Sequence, residues 1–244
     1  MDVNQRRKVY KERRDQNDED YKTLFRFNRE NEQWLTNHFL NENNETRGGA
    51  LTNEQRMKIF LRYLSDPVFQ SGVSEDFRVD QSTVSITFSQ VLEAIRRKAH
   101  LLLKFPATLD EMQAAMNEWR QRYNFPHVLE VIDCTHVQIK RPHQHGDEYI
   151  NRKGVHTINI QVTCNAQEKF TIVDVSWPGS VHDSRIWSNS NIRTIMTQNQ
   201  ANCLLLGDTG YAIAPWLMIP FRNPGTQEER AYNVCFTKER VIIE

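Results

Sequence analysis

Apolar residues recur at helical spacing through the first half of this chain, and they alternate with polar residues in much of the second half. The first helical pattern comprises Leu51, Met57, Phe60, Leu61 and Leu64. It predicts a helix that ends at Asp66-Pro67, because proline cannot continue a helix. A short helix then leads through a tight connection, Arg78-Val79-Asp80, into a longer helix for which Asp80 is the predicted N-cap. The apolar stripe of that longer helix comprises Val84, Phe88, Val91, Leu92, Ile95 and Ala99.

The second half predicts strands. The segments VLEVIDCTHVQI, HTINIQVTCNAQ and KFTIVDVSWPG favour three strands, with a hairpin loop at 165–167 between the last two. A helix over HDSRIWSNSNIRTIM follows, with its cap among Ser180, His182 and Asp183, and CLLLGD is typical of a short buried strand. Three strands joined antiparallel, a helix and a buried strand are the element order of a ribonuclease H-like fold. The predicted class is therefore α/β, with a mixed sheet and flanking helices behind an all-helical helix-turn-helix domain.

Three acids stand out against this order of elements: Asp133, Asp208 and Glu244. The predicted fold places Asp133 and Asp208 on neighbouring central strands and Glu244 on a packing helix. Three such carboxylates can hold two divalent ions about 3.5–4 Å apart for in-line attack on a phosphodiester. A helix cap or a surface charge explains any one of these acids better. Their joint fit to the fold favours a DNA strand-cutting site.

Composition narrows the class of protein. With 244 residues, 39% of them hydrophobic, the chain can form one large domain or two modest ones. We find no secretory signal and no run of about 18 apolar residues that could span a bilayer, so we expect an intracellular protein. The four cysteines are far apart in sequence, which predicts reduced, mostly buried thiols.

Charge is balanced overall but not locally. The formal net charge is zero, which by itself favours no polyanionic partner. Basic residues nevertheless crowd the first fourteen positions, namely Arg6, Arg7, Lys8, Lys11, Arg13 and Arg14. They could form an arm that binds phosphates. Acidic residues follow at once, so a solvated tail remains an equally good interpretation.

Other positions suit contacts with DNA. At the start of the longer helix, Gln81, Ser82, Thr83 and Ser85 would face a major groove, while Arg96, Arg97 and Lys98 would reach the flanking backbone. Ser and Thr are also common helix caps, so this segment alone does not decide the matter. In the catalytic half, four basic residues could steer phosphates, although surface charge explains any one of them: Lys140, Arg141, Arg152 and Lys153.

Five ordered blocks carry a resemblance to a known family. They are VIDCTHVQIKRP, YINRKGVHTINIQVTC, WPGSVHDSRIW, LLGDTGYAIAPWLMIPF and ERAYNVCFTKERVIIE. They resemble the PIF/Harbinger superfamily of transposases and the domesticated Harbinger transposase-derived nucleases, which are DDE superfamily endonucleases. The segment FQSGVSEDFRVDQSTVS is similar to the amino-terminal domain of the same family.

The resemblance implies a metal-dependent endonuclease that hydrolyses phosphodiester bonds in DNA by a two-metal mechanism. It implies that Asp133, Asp208 and Glu244 are catalytic metal ligands and that the cofactor is Mg²⁺ or Mn²⁺, ions that hard carboxylate oxygens suit. His182 and Asp183 match a family block and could support the ligands, although capping the following helix explains them equally well. A Myb-like DNA-binding protein that aids nuclear entry is the implied partner. The implied location is the nucleus, with the cytoplasm as an alternative.

The family pattern continues past the third acid, whereas nothing follows Glu244 in this sequence. We expect a helix of only two turns from about Thr237, and therefore weak metal binding at the third position. The predicted organisation is a basic and polar segment over 1–50, a helix-turn-helix-like domain over 51–105 and a ribonuclease H-like nuclease domain over 125–244 that lacks its C-terminal end. Three interpretations stay open: an active nuclease, a domesticated or truncated descendant that binds DNA or protein without cutting, and a fragment of an ordinary active enzyme.

Overall fold

The computed structural model describes residues 17–41, 51–65, 70–198, 202–240 and 243. The basic residues of the predicted amino-terminal arm and Glu244 lie outside this description. The chain divides into two compact units, Met1–Leu101 and Leu102–Glu244. The predicted segment boundaries at 50, 105 and 125 stay predictions.

The described part of the first unit is helical. Its helices are α1 (Asp18–Phe25), α2 (Arg29–Leu40), α3 (Asn53–Ser65), α4 (Gln70–Phe77) and α5 (Gln81–Leu102). Asn17 and Asn28 cap the first two helices, since each side chain accepts a hydrogen bond from a first-turn amide. The buried core of this unit joins residues of all five helices, among them Tyr21, Phe39, Met57, Val73 and Val84.

The helix, tight connection and helix predicted around Arg78 are confirmed as α4 and α5. Arg78 adopts a left-handed φ of 55°, and the Val79 amide donates to the Ser74 carbonyl, which ends α4. The predicted apolar stripe of α5 is wrong at Leu92, which is 45% exposed, while Val91 and Ala94 are buried. Leu92 lies about 100° around the helix from Val91, so it turns away from the core. Leu64 of α3 is likewise exposed rather than buried.

The second unit combines a sheet with helices. Its elements are α6 (Leu109–Tyr123), β1 (Val128–Gln138), a 3₁₀ helix (Gly146–Tyr149), β2 (Thr157–Cys164), β3 (Phe170–Pro178), α7 (Asp183–Ser188), α8 (Asn191–Gln198), β4 (Leu204–Leu206), β5 (Leu217–Met218) and α9 (Gln227–Arg240). The strand order is β3-β2-β1-β4-β5. β1 pairs antiparallel with β2 and parallel with β4, and β2 pairs antiparallel with β3.

This arrangement is a mixed α/β sheet with flanking helices, consistent with a ribonuclease H-like domain. The three predicted strands and the hairpin between β2 and β3 are confirmed. Two apolar clusters hold the helices to the sheet, one around Leu129, Ile132 and Leu205, the other around Val131 and Phe236. Because β1 and β4 are adjacent and parallel, the C-terminal end of β4 lies beside the interior of β1, with Leu206 opposite Val131.

Two helix predictions need correction. The single helix predicted from His182 is two helices, α7 and α8, because the Ser190 hydroxyl accepts from the Arg193 amide and starts a new helix. The helix expected from about Thr237 begins at Gln227. Thr226 and Glu229 exchange hydrogen bonds there in a capping box, so α9 is about four turns long.

The cysteines largely follow the prediction. All four are free thiols; Cys164 and Cys203 are buried and Cys134 is partly buried, whereas Cys235 on α9 is exposed. Among the described residues, no helix is long and apolar enough to cross a membrane.

Candidate active site

Asp133 lies in the middle of β1, directly opposite Val162 of β2. Its side chain is 22% exposed. One carboxylate oxygen accepts a hydrogen bond from the Cys134 amide at 2.9 Å, which fixes its orientation. The strand therefore presents this acid at the border between the core and the solvent.

Asp208 follows β4 by two residues, on the strand that runs parallel to β1. Its Oδ1 accepts from the Gly210 amide at 2.8 Å, and Arg222 donates to the Thr209 carbonyl at 2.9 Å. These bonds hold the loop that carries the acid. Asp133 therefore lies on β1 and Asp208 just past the end of its parallel neighbour β4, whereas the sequence predicted both acids on strands.

A third carboxylate, Asp183, joins the site from the start of α7. His182 is the N-cap of this helix and accepts from the Ser184 amide, which confirms the capping role considered for it. Asn159 of β2 is fully buried, and its side-chain amide donates to Asp183 Oδ1 at 3.0 Å and to the Val181 carbonyl at 2.9 Å. Asn159 thus fixes the Asp183 carboxylate relative to the sheet.

Gly210 shows how closely two of these acids approach each other. A Cβ atom at this position would lie 2.9 Å from Asp183 Oδ2 and 2.9 Å from Asp208 Oδ1. Any larger residue would displace both carboxylates. The glycine of the GDTGY block is therefore required by the site itself, since its φ is not in the left-handed region.

The three acids interact electrostatically. Burial raises the pKa of Asp133, and the negative charges of Asp208 and Asp183 raise it further, while the Cys134 amide and the Arg240 guanidinium lower it. The first cause is the largest, because desolvation disfavours the charged carboxylate. The site therefore concentrates negative charge that a cation would stabilise.

Arg240 supplies part of that positive charge. Its Nη1 lies 3.5 Å from Asp133 Oδ2, and its side chain is 19% exposed. Arg240 is the last residue of α9, four positions before Glu244 in the sequence. The helix that leads towards the predicted third acid therefore reaches the first acid.

A hydrogen-bonded pair supports the sheet next to Asp133. Cys134 Sγ lies 3.1 Å from Tyr211 Oη, and the Gln161 amide lies 3.9 Å from the same sulfur. Burial raises the pKa of Cys134 to about 12 and also raises the pKa of Tyr211, so both groups stay protonated at neutral pH. This pair ties the loop after β4 to β1.

Two adjoining clefts lie beside Asp183 and Asp208. A cleft of about 520 Å³ is lined by Asp183, Asp208 and the loop after β4, and a second of about 270 Å³ is lined by the 151–153 turn and residues 179–183. Arg152 lines both, and Lys153 lines the second. The other two predicted phosphate-steering residues are exposed, and Arg141 is paired with Asp147 at 3.0 Å.

The residues predicted to read DNA lie in the first unit. Gln81, Ser82 and Ser85 are exposed on the first turns of α5, and Thr83 is half-buried. Further along α5, Arg96 and Arg97 are exposed, Arg96 pairs with Glu93, and Lys98 donates to the His38 carbonyl at 2.9 Å. Their role in binding DNA stays a prediction.

Sequence reasoning missed several residues of this site. Asn159, Gly210 and Arg240 did not emerge from the patterns, and Asp183 was predicted only to support the ligands. A signal existed for Asn159, because a polar amide in the interior of an apolar strand requires hydrogen-bond partners. No pattern along the chain reveals that Arg240 contacts Asp133.

The acids present suit a hard divalent cation, since a carboxylate oxygen of Asp183 and one of Asp208 both lie close to Gly210 and carboxylates are the preferred ligands of such ions. Within the described ranges, no three His, Cys, Asp or Glu side chains converge closely enough to hold a metal ion on their own. Glu244, the predicted third ligand, is outside those ranges.

Comparison with known proteins identifies a similar family and similar proteins. Residues 132–244 match the family described as DDE superfamily endonuclease. The relatives include "Putative nuclease HARBI1" of Homo sapiens, 29% identical over 199 residues, and its namesake of Bos taurus, 30% identical over 199 residues. Each match covers 81% of this chain and 57% of the relative. "Protein ALP1-like" of Arabidopsis thaliana is 23% identical over 198 residues, with 75% of this chain and 48% of the relative covered.

The chain thus spans little more than half the length of the HARBI1 proteins that it matches. No solved structure matches it significantly.

Proposed function

We propose that this protein is a transposon-derived, divalent-metal-dependent DNA endonuclease, because residues 132–244 match the family described as DDE superfamily endonuclease and the chain is similar to the HARBI1 and ALP1-like proteins. The observation that carries the proposal is the approach of Asp133 and Asp208 from adjacent parallel strands, with Asp183 beside Asp208. The reaction is hydrolysis of a phosphodiester bond. The proposed ligands are Asp133, Asp208 and Glu244, and the proposed cofactor is Mg²⁺ or Mn²⁺.

The chain's own residues supply binding and orientation. Asp133 and Asp208 offer oxygens whose directions are set by the Cys134 and Gly210 amides. Asp183, held by Asn159, adds negative charge next to Asp208. When bound, a pair of divalent ions would activate the attacking water or 3′-hydroxyl and neutralise the leaving oxygen.

Nicking of supercoiled plasmid in Mn²⁺ tests the proposal. Asp133→Asn and Asp208→Asn should each abolish nicking, since each removes a charged ligand without changing side-chain size. Asp110→Asn is the matched control, because Asp110 is exposed in the first turn of α6. Retained nicking in either site variant would show that the site is wrongly assigned.

A second candidate is a descendant that binds DNA or a protein partner without cutting. The ion pair between Arg240 and Asp133 favours it, because the arginine already places positive charge at the first acid. The wild-type chain would then bind DNA in Mn²⁺ without producing nicked plasmid. In either case we propose a nuclear protein whose partners are DNA and, by resemblance, a Myb-like DNA-binding protein.

A further inference from the structure

The two clefts beside Asp183 adjoin each other. Both are lined by Arg152, His182 and Asp183, so the larger cleft, which also holds Asp208, shares a wall with the smaller one. The balance of charge differs between them. Two carboxylates and two guanidinium groups line the larger cleft, since Arg222 is also there, whereas Arg152 and Lys153 outnumber the single carboxylate of Asp183 in the smaller one.

The two cations of the smaller cleft, Arg152 and Lys153, lie on a constrained turn. Asn151 Oδ1 accepts from the Lys153 amide at 2.9 Å and from the Val155 amide at 3.2 Å, and the Gly154 amide donates to the Asn151 carbonyl. Gly154 has a φ of 74°, a conformation that favours glycine. The turn therefore presents two successive cations from a fixed backbone, which lowers the entropy lost when they bind an anion.

The opposite wall of the smaller cleft is equally constrained. A Cβ atom at Gly179 would collide with the Thr157 hydroxyl, and the Gly179 amide donates to the Thr157 carbonyl at 2.8 Å. The Ser180 amide donates to the Glu148 carbonyl at 3.1 Å. Backbone packing thus defines the shape of the cleft without filling it.

The charges of Arg152 and Lys153 are not neutralised within the part of the chain that the structure describes. Both side chains are exposed, and neither forms an ion pair with a described acid, in contrast to Arg141, which is paired with Asp147. Two adjacent free cations in a cleft generate a field that attracts anions. Arginine binds phosphate through two parallel hydrogen bonds, and lysine binds it as a point charge.

We propose that the smaller cleft binds a backbone phosphate of the DNA substrate, adjacent in the strand to the phosphodiester at Asp133 and Asp208, with Arg152 and Lys153 as its ligands. This inference deepens the proposed nuclease function and rests on it. The site fixes the position of the strand, not its sequence, because phosphate contacts carry no direct information about the bases.

Fluorescence polarisation of a labelled DNA duplex, measured with the full chain and without divalent ions, tests the site. The double variant Arg152→Gln/Lys153→Gln should bind about tenfold more weakly, since charge-assisted hydrogen bonds to phosphate are lost. The slope of log K against log salt should become shallower by about 1–2, because each lost phosphate contact releases one counterion fewer.

A matched control removes the same charge elsewhere. Arg120 is exposed on α6 and Lys169 lies in the hairpin at the opposite end of β2. Arg120→Gln/Lys169→Gln should leave both the affinity and the salt slope unchanged. Thermal unfolding of both double variants checks that they fold, as expected for changes of exposed side chains.

The outcomes separate this site from the nuclease function. Wild-type protein that does not nick plasmid, but whose DNA affinity depends on Arg152 and Lys153, would overturn the nuclease and support the phosphate site. Wild-type protein that nicks plasmid, while the Arg152/Lys153 variant keeps the wild-type affinity and salt slope, would overturn the phosphate site alone.

Discussion

Replacing Glu130 by Gln should stabilise this protein, and the gain should grow with pH. Glu130 lies on β1 and is fully buried. The Thr171 hydroxyl donates to its Oε2, whereas its Oε1 has no hydrogen-bond partner among the described residues. Burial raises the pKa of Glu130 from an ordinary 4.5 to about 8, and the bonds from Thr171 and Thr163 only partly offset this.

The sign follows from proton binding. Between pH 4.5 and pH 8 the folded chain keeps the proton on Glu130 while the unfolded chain releases it, so the free energy of unfolding falls as pH rises. At 1.36 kcal/mol for each pKa unit, the loss approaches about 5 kcal/mol above pH 8 and amounts to about 2–3 kcal/mol between pH 5 and pH 7. Glutamine has nearly the same shape and no charge, so Glu130→Gln removes this pH dependence.

Urea unfolding followed by circular dichroism at several pH values measures the effect. The free energy of unfolding of Glu130→Gln, minus that of the wild type, should rise by about 2–3 kcal/mol from pH 5 to pH 7. Glu75→Gln is the control, because Glu75 is exposed on α4, and its difference from the wild type should lack this rise. A Glu130→Gln difference that does not change with pH would refute a neutral buried Glu130.

Three more predictions concern single residues. Gly210→Ala places a methyl group against two carboxylates, so nicking in Mn²⁺ should fall about a hundredfold while the melting temperature changes little. Arg240→Gln removes positive charge beside Asp133. Calorimetric titration should therefore show that this variant binds Mn²⁺ several times more tightly than the wild type does. Weaker binding would mean that Arg240 instead positions the Asp133 carboxylate. Cys235 is exposed and Cys164 is buried with its pKa raised to about 11, so iodoacetamide at pH 7.5 should modify Cys235 and spare Cys164 in mass spectra of the folded protein.

The strands and the first two acids could be predicted because their signals are local. Alternating apolar residues mark β1 and β2, and a short apolar run marks β4. Once these strands are neighbours, Asp133 and Asp208 must lie near each other, because Val131 pairs with Leu206 and each acid follows its member of that pair by two residues. Pattern and topology together therefore determine the core of the site.

The helices were predicted less well where apolar periodicity is weak. Among the described side chains of α9, Phe236 alone is fully buried, so the pattern of this helix is mostly polar. Its start was nevertheless readable from Thr226 and Glu229, which have the three-residue separation of a capping box. The break between α7 and α8 follows similarly from Ser190, whose hydroxyl competes with helix continuation.

The contacts of Asp183 and Arg240 could not be predicted from such signals. Asp183 meets Asn159 across 24 positions, and Arg240 meets Asp133 across more than a hundred, so only the assembled sheet and helices bring them together. The shared wall of the two clefts likewise depends on the assembled fold. Residues 151–153 and 208–212 belong to separate loops whose proximity depends on the strand order.

The three acids and the two cations of the smaller cleft separate binding of DNA from cutting. Asp133, Asp183 and Asp208 repel a phosphodiester until a cation compensates them. In the smaller cleft, Arg152 and Lys153 attract phosphate without any divalent ion. If both proposals hold, DNA should bind in the presence of a chelator with a steep salt dependence, whereas cutting should require the divalent ion. A zero net charge over the whole chain is compatible with this behaviour, because the field at a cleft depends on the charges that line it and not on the net charge.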